Sequence, residues 1–453
     1  MTSDLIQKAL ETATDTKAIV AGDGVVAETG AVFAAQFPGK KAVLVADENT
    51  WAAAGEAVEQ SLEGAGVAVE GRYVFPGTPT LYAGYENVTK LREYLETVDA
   101  VACSVASGTL NDLTKLASGE LGRPYMNVCT AASMDGYAAF GASITRDGFK
   151  ITRNCPAPTA LVADLRVMAA APPRLTATGY GDLIEKIPGG ADWLVADELG
   201  IEAVDQYVWG LVQDTLRGAL ADPKGCAAGD PAAISGLAEG LLMSGLAMQA
   251  HQSSRPASGA GHNFSHQWEM EGHGLDWEPP LSHGNKVGVG TVAACALYEK
   301  VLALDIDSVD VDAAVAAWPD PAANDARVEA LQSIDAIREA ALAQSRAKYV
   351  QPENIRGRVE LIKEHWPRII ERITPQLVTA SEAAQMLKDA GGPYHPSMLD
   401  IDQEKLKLTY FQAQTIRSRY TMFDTLQELG IFADVVESLF APGGYWHDHP
   451  TAD

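Results

Sequence analysis

The feature that most constrains the fold is a change of pattern near residue 165. Before it, β-rich runs alternate with helical stretches; the runs are KKAVLVAD (40–47), VAVEGRYVF (67–75), VDAVACSVA (98–106) and PYMNVCTAA (124–132). After it, alanine and leucine recur at helical spacing and convincing strands disappear. Strand–helix alternation predicts a mainly parallel sheet with helices on its faces. We therefore predict an α/β nucleotide-binding domain over residues 1–165 and an all-α domain over residues 166–453.

Charge and cysteine content exclude several classes of protein. The formal net charge is −26, whereas nucleic-acid binding needs an excess of Lys and Arg, so we expect no nucleic-acid partner. The five cysteines are widely spaced without a C-x-x-C pair, which predicts a reducing, cytoplasmic setting. The N-terminus lacks a signal-peptide core, and no apolar run approaches the roughly 20 residues that span a bilayer. We expect no membrane insertion.

Histidines cluster in one segment. Five of the nine lie between residues 251 and 290, at His251, His262, His266, His273 and His283. Four residues separate His262 from His266, which places both imidazoles on one face if the segment is helical. His283 precedes a glycine, where the backbone can approach a bound group. Clustered imidazoles suit a divalent metal, and the alternative is a polar surface helix with scattered histidines.

A carboxylate would complete such a metal site, and the sequence offers two. Asp182 in ATGYGDLIEK follows two glycines and opens what reads as a helix. Its alternative role is that of an ordinary N-cap. Asp192 in GGADWL has similar surroundings. The residues alone leave this choice open.

Two glycine-containing turns compete for a nucleotide. Residues 22–27, GDGVVA, fit G-x-G-x-x-A, and Asp47 follows at the separation of a ribose-binding acid, but the acid between the glycines would face the pyrophosphate. Residues 106–112, ASGTLND, lie between a strand and a helix, where free N–H groups favour a phosphate. Their polar residues are alternatively plain helix caps. With the small-residue stretch 130–136, these turns predict a nucleotide crevice at the carboxyl ends of the strands.

Together these features resemble the sn-glycerol-1-phosphate dehydrogenases of the iron-containing alcohol dehydrogenase and dehydroquinate synthase-like superfamily. The segments that carry the resemblance are GTLNDLTK (108–115), TAASMDGYAA (130–139), APTALVADLRVMAAAPPRLTATGYGDLIEK (157–186), SRPASGAGHNFSH (254–266), SHGNKVGVGT (282–291) and QTIRSRYTMFDTLQELG (414–430). The implied fold is dehydroquinate synthase-like, an α/β N-terminal nucleotide-binding domain plus an all-α C-terminal domain. The active site lies in the cleft between them.

The resemblance also implies roles for individual residues. The implied metal ligands are Asp182, His262 and His283. The implied substrate-contacting, catalytic residues are Asp135 and His266. The implied cofactor contacts are Asp47, Gly108, Thr109, Leu110, Asn111, Asp112, Thr130 and Ser133. The resemblance thus selects Asp182 over Asp192, and the later glycine turn over GDGVVA.

The implied activity is the reversible NAD(P)H-dependent interconversion of dihydroxyacetone phosphate and sn-glycerol 1-phosphate. It needs one divalent ion, for which zinc, nickel and iron are candidates. The alternative is a dehydrogenase of the same superfamily that acts on glycerol or another polyol or alcohol; a nucleotide-binding regulator is the non-enzymatic alternative. Asp47 favours NAD over NADP, because its charge repels a 2′-phosphate. We expect a homodimer.

Some regions leave further questions open. Four cations lie within or near the matching segments as candidate donors to a substrate phosphate, and the sequence does not choose among them: Arg255, Lys286, Arg417 and Arg419. The stretch EMEGHGLDWEPP (269–280) is an insert relative to shorter relatives. The tail APGGYWHDHPTAD (441–453) is predicted to be loose, with His447 and His449 in solvent.

Overall fold

The strands form one six-stranded parallel sheet and a separate hairpin. The computed structural model describes residues 3–146 and 149–452, without the side chains of residues 149–151. The strands are β1 (Ala18–Gly22), β2 (Ala42–Asp47), β3 (Val69–Phe75), β4 (Val101–Ala106), β5 (Tyr125–Cys129), β6 (Ala142–Arg146), β7 (Phe149–Arg153) and β8 (Ala160–Asp164). The sheet has the order β1-β8-β5-β4-β2-β3, and β6 pairs antiparallel with β7.

Helices cover both faces of this sheet. They are α1 (Asp4–Leu10), α2 (Thr29–Gln36), α3 (Glu48–Thr50), α4 (Glu56–Gly64), α5 (Tyr85–Glu96) and α6 (Gly108–Glu120). Every residue of β2, β4, β5 and β8 is buried, as expected for strands packed on both faces. Two separate apolar clusters flank the sheet, one on each face. The predicted parallel sheet is therefore confirmed.

The remaining chain is helical in its described part. The helices are α7 (Leu165–Ala169), α8 (Pro173–Ile184), α9 (Lys186–Glu198), α10 (Gln206–Ala219), α11 (Pro223–Ala228), α12 (Pro231–His251), α13 (Ala260–Met270), α14 (His283–Leu302), α15 (Val311–Ala317), α16 (Pro321–Leu331), α17 (Asp335–Lys348), α18 (Ile355–Ile373), α19 (Ala380–Asp389), α20 (Gln403–Thr415), α21 (Met422–Glu428), α22 (Phe432–Phe440) and α23 (Tyr445–Asp448). Their apolar faces form the largest core cluster of the molecule. The predicted helical second part is confirmed.

Two expectations from the sequence are wrong: that no apolar run approaches the length of a membrane span, and that the C-terminal tail is loose. Helix α12 is 21 residues long and apolar enough to cross a membrane by composition, although 67% of its most apolar window is buried inside the protein, as in a core helix. The C-terminal tail is not loose, because Trp446 is fully buried and its Nε1 donates to the Tyr410 hydroxyl at 2.9 Å. His447 is about half exposed beside Asp448.

Candidate active site

Three side chains from three helices converge at the predicted metal site. Asp182 comes from α8, His262 from α13, and His283 is the first residue of α14. Each offers one ligand atom, and these atoms all lie within 4.8 Å of one another. The Asp182 and His262 side chains are almost completely buried, and His283 is partly exposed. One cation can therefore be reached by all three groups, which suits the carboxylate and imidazole ligands of zinc and related ions.

Glycines allow the elements that carry these groups to touch through their backbones. A Cβ atom at Gly284 would lie 1.9 Å from the Thr178 carbonyl oxygen, and one at Gly181 would lie 2.4 Å from the Gly284 carbonyl oxygen. A Cβ atom at Gly179 would lie 2.0 Å from the carbonyl oxygen of Ala132, in the loop after β5. Any side chain at these positions would push α8 away from α14 and from the sheet.

The interpretation of Asp182 as the start of a helix is wrong. It is the tenth residue of α8, which begins at Pro173. The glycines on either side of Tyr180 do not end the helix, although each costs about 1 kcal/mol relative to Ala in a helix interior. The close helix packing that they permit offsets this cost. The Asp182 carboxylate is therefore free from capping and faces the histidines.

Carboxylates contact the second nitrogen of each candidate ligand imidazole. Glu185 Oε2 lies 2.8 Å from His262 Nδ1, and Glu269 Oε1 lies 3.0 Å from His283 Nδ1. The His283 contact is a hydrogen bond, which holds a proton on Nδ1 and leaves Nε2 for a metal, whereas the Glu185 contact lacks hydrogen-bond geometry and acts through its charge. Burial by itself would lower the pKa of His262, but Glu185 and Asp182 raise it to about 9. A field that favours a proton on this ring also favours a cation beside it.

A buried lysine joins Asp182 to Asp135. Lys186 Nζ lies 2.8 Å from Asp135 Oδ2 and 3.2 Å from Asp182 Oδ1. Burial opposes the charge, but the two aspartates raise the pKa of Lys186 above its usual value. The Ser244 hydroxyl also donates to Asp135, at 2.9 Å. Sequence reasoning missed Lys186 and Glu185; the available signal was the spacing of Lys186, one helical turn after Asp182.

His266 lies beside the candidate ligands on the same helix. Its ring centroid is 5.9 Å from that of His262 and 5.7 Å from that of His283. The predicted placement of His262 and His266 on one helical face is confirmed. The His266 Nδ1 atom lies 3.5 Å from Glu269, while burial and the charge of Arg417 lower the pKa of the imidazole. A neutral ring with one nitrogen turned away from Glu269 can contact a substrate hydroxyl.

The remaining alternatives for the metal site lie elsewhere. Asp192 accepts hydrogen bonds from two backbone N–H groups, at 2.7 and 2.9 Å, and from the Tyr298 hydroxyl at 2.7 Å. It anchors α9 to the rest of the helical core and does not join the three-residue group. His251 and His273 also lie outside that group.

The predicted cofactor residues meet at one edge of the sheet. Asp47 ends β2, residues 108–112 open α6 directly after β4, and residues 130–133 follow β5. Because β2, β4 and β5 are adjacent parallel strands, their carboxyl ends share an edge. Asp47 accepts from the Thr50 N–H at 2.8 Å and so also caps the helical segment that follows β2.

The start of α6 combines buried and available groups. Leu110 and Asn111 are fully buried, and the Asn111 side chain accepts from the Tyr125 hydroxyl at 3.1 Å. The Asp112 carboxylate accepts from the Ser143 N–H at 3.1 Å. No side chain in the described part of the protein caps α6, which leaves its first N–H groups for a phosphate. The side chains of Asn111 and Asp112 therefore shape this turn.

Two further segments were considered for a nucleotide: the hydroxyls after β5 and the earlier glycine turn. Thr130 and Ser133 are both about 5% exposed, and the Ser133 hydroxyl lies 2.9 Å from that of Tyr137. In the earlier turn, the N–H groups of Gly24 and Val26 donate to the Asp164 carboxylate at 3.2 and 2.9 Å. These amides already have an anionic partner, which explains the GDGVVA pattern without a nucleotide.

Comparisons with known proteins give this arrangement a context. Residues 20–172 match the family model described as iron-containing alcohol dehydrogenase. A glycerol-1-phosphate dehydrogenase of Halalkalibacterium halodurans is 39% identical over 56% of this chain and 64% of its own length. One of Methanosarcina mazei is 34% identical over 62% of this chain and 76% of its own length. Both are described as NAD(P)+ enzymes.

Solved structures agree on the fold. The crystal structure of glycerol dehydrogenase from Schizosaccharomyces pombe superposes with a TM-score of 0.57 at 17% identity, covering 94% of this chain and 90% of that one. This likeness confirms the predicted fold class. The chain spans less than two thirds, 64%, of the Halalkalibacterium relative that it matches.

Proposed function

This chain belongs to the iron-containing alcohol dehydrogenase family, together with the glycerol-1-phosphate dehydrogenases, and on that basis we propose that it interconverts dihydroxyacetone phosphate and sn-glycerol 1-phosphate with NAD(P)H. The observation that carries the proposal is the group formed by Asp182, His262 and His283, whose ligand atoms lie within 4.8 Å of one another. It lies beside the carboxyl edge of the sheet, because Gly179 on α8 contacts the loop after β5. A hydride donor bound at that edge would face a substrate held at the three side chains.

The donor set fits a divalent ion. It combines one carboxylate with two imidazoles, and the second nitrogen of each imidazole contacts a glutamate. A zinc, nickel or iron(II) ion at Asp182, His262 and His283 would supply Lewis-acid polarisation of the substrate carbonyl. We further propose that the protein works with NAD in preference to NADP, in the cytoplasm and as a homodimer.

The chain's own residues would position the substrate and move its proton. Asp135 is held by Lys186 and Ser244, so its carboxylate is fixed before a substrate arrives. We assign to it the orientation of a substrate hydroxyl. His266, whose Nδ1 faces Glu269, would exchange a proton with the reacting oxygen through its other ring nitrogen, directly or through water. The sequence-predicted cofactor contacts would bind the pyrophosphate at the start of α6 and the adenosine ribose at Asp47.

The proposal is tested by turnover with and without metal. Protein stripped of metal and then reconstituted is expected to oxidise NADH with dihydroxyacetone phosphate. The His262→Ala variant is expected to lose about a thousandfold or more in kcat/KM. His251→Ala, outside the ligand group, is the control and should keep full activity. Full activity of the stripped protein would contradict the metal-dependent reaction, and turnover of glycerol alone would favour the polyol alternative.

A further inference from the structure

Within the described part of the chain, two arginines of one loop, Arg417 and Arg419, form no ion pair with a carboxylate. Among the residues that the structure describes, 3–146 and 149–452, the Arg417 guanidinium has no hydrogen-bond partner and no carboxylate within 4.0 Å. Arg419 donates only to the hydroxyls of Ser254 and Ser258, both at 2.7 Å. Among the described residues, other arginines without a carboxylate partner, such as Arg123 and Arg217, donate to backbone carbonyl oxygens instead.

The other two candidate cations differ from this pair. Arg255 is buried with its Nε 3.1 Å from Glu202, and its remaining nitrogens donate to the carbonyl oxygens of Asp192 and Tyr420. It therefore supports the fold. Lys286 is buried inside α14.

The loop that carries the pair, residues 416–421, is fixed next to the histidine helix. It joins α20 to α21, and Arg419 fastens it to the serines that precede α13. The Tyr420 hydroxyl donates to buried Glu428 at 2.6 Å, which holds the end of the loop. Burial and the Arg417 charge lower the pKa of His266, and Glu269 opposes the burial that lowers the pKa of Arg417. The loop that carries Arg417 is thus fixed beside the start of the helix that carries His262 and His266.

Two positive charges that lie close together in a partly buried site repel each other unless an anion binds between them. Burial lowers the pKa of both guanidinium groups, and the neighbouring arginines lower that of Arg419 further. Guanidinium groups bind phosphate oxygens in a planar, two-pronged geometry. A phosphate dianion between Arg417 and Arg419 would neutralise the pair and accept the free N–H groups.

We propose that Arg417, supported by Arg419, binds the phosphate group of the three-carbon substrate and selects phosphorylated over unphosphorylated ketones. The inference rests on the proposed function, because it places a phosphate next to the site where the carbonyl is reduced. The reacting end would lie at Asp182, His262 and His283, and the phosphate end at the 416–421 loop. The coenzyme's own phosphates would lie at the sheet edge, away from this loop.

The test compares substrates with and without a phosphate. The Arg417→Met variant is expected to raise KM for dihydroxyacetone phosphate about 10- to 100-fold, as for a lost charged hydrogen bond. KM for dihydroxyacetone, which has no phosphate, and KM for NADPH should change less than twofold, which excludes a general loss of structure and binding of the NADP 2′-phosphate. Arg346→Met, an exposed arginine paired with Asp325, is the control. Equal losses with both ketones, or the same KM as the control, would overturn the proposal.

A second measurement does not depend on turnover. Titration of the metal-loaded protein with inorganic phosphate in a calorimeter should detect binding that is lost in Arg417→Met, partly kept in Arg417→Lys and unchanged in Arg346→Met. If the wild-type protein does not reduce dihydroxyacetone phosphate but binds inorganic phosphate through Arg417, the proposed function fails and the phosphate site stands. If phosphate binding is the same in wild type and Arg417→Met, the phosphate site is overturned, whatever the activity.

Discussion

At the scale of single residues, the candidate site depends on the carboxylates that contact its imidazoles as much as on the three candidate metal ligands themselves. Glu185 contacts His262, Glu269 contacts His283, and Lys186 joins two aspartates. Each of these contacts places a charge beside a group of the candidate site. None of the three residues was singled out from the sequence, because a Glu or Lys on a helix is most often a solvated side chain.

Replacing Glu185 tests this outer layer. Glu185→Gln removes a negative charge that lies 2.8 Å from His262 Nδ1 and favours a cation at this site, so metal affinity is expected to fall about 10- to 100-fold. Competition with a coloured chelator measures the affinity directly. Glu198→Gln, whose partner His365 lies outside the ligand group, should leave it unchanged. Identical affinities in the two variants would contradict a supporting role for Glu185.

A second residue-scale prediction concerns pH and stability. Burial raises the pKa of Glu428 to about 7, against the opposing effect of Arg358. The folded state thus holds this proton more tightly than the unfolded chain, whose glutamates titrate near 4.3. The resulting stability is complete at low pH and is lost as pH rises through about 7. Glu428→Gln is therefore expected to be relatively more stable at pH 8 than at pH 5, by about 1–3 kcal/mol.

Urea unfolding at the two pH values measures this difference. Glu437→Gln, an exposed glutamate near Lys407, serves as the control. A Glu428→Gln effect of the same size at both pH values would show that the carboxyl does not titrate in this range.

At the scale of secondary-structure elements, the contact of α8 with α14 sets the site. Gly284→Ala would place a Cβ atom 1.9 Å from the Thr178 carbonyl oxygen, so α14 must move. We expect a loss of about 2–4 kcal/mol in the free energy of unfolding and a large loss of metal affinity. Gly218→Ala, in open space on α10, should instead be neutral or stabilising by up to about 1 kcal/mol.

Chemical denaturation and chelator competition on the two variants decide this prediction. A Gly284→Ala protein that binds metal as tightly as the wild type would show that the helices separate without moving His283.

At the scale of the whole molecule, one contact joins the 269–280 insert to the loop after β3. The insert carries Glu278, whose carboxylate accepts from the Thr80 backbone N–H at 3.2 Å and from the Thr80 hydroxyl. Thr80 follows β3, at the edge of the sheet where the predicted coenzyme contacts lie. This contact gives the insert a structural position that the sequence did not predict.

Removing that contact should loosen the cleft. Glu278→Ala is expected to raise the NADH dissociation rate constant about 2- to 10-fold, because exchange requires the two sides to part. Stopped-flow fluorescence of bound NADH measures the rate. Glu437→Ala, an exposed glutamate elsewhere, is the control. An unchanged rate would mean that coenzyme leaves without breaking the contact.

A bound ion should also stabilise the whole helical part, because the three ligands come from three helices. At free metal about 1,000-fold above Kd, the gain is about 4 kcal/mol. Thermal unfolding with and without a chelator should therefore differ in the wild type and in His251→Ala, but not in His283→Ala. A chelator effect that persists in His283→Ala would place the ion elsewhere.

Much of the architecture could be predicted from local patterns. Alternating strands and helices predicted the parallel sheet, and the loss of strands after residue 165 predicted the helical part. The short run of β8 was not predicted as a strand, because four apolar residues followed by an acid fit a strand and a helix equally well. Asp182 was misplaced at a helix start, because its glycines signal a break unless the partner helix is known.

The candidate site could likewise be predicted only in part. The histidine spacing was visible along the chain, whereas the approach of Asp182 to His262 depends on tertiary packing that no local pattern records. The resemblance to a family supplied that pairing, and the role of the three residues as metal ligands remains a prediction. That Arg417 forms no ion pair with a described residue could not be predicted, because this depends on where the acidic side chains lie in the folded protein.

The backbone contact between Gly181 and Gly284 has a consequence for how this protein could change in evolution. The distance between α8 and α14 is set at Gly181 and Gly284, where neither helix has a side chain that a mutation could shorten. Mutations in the surrounding core can change side-chain volume without changing that distance. They therefore leave the spacing of the candidate metal ligands unchanged. Adaptation to a larger ion would instead require new donor atoms or a shifted main chain.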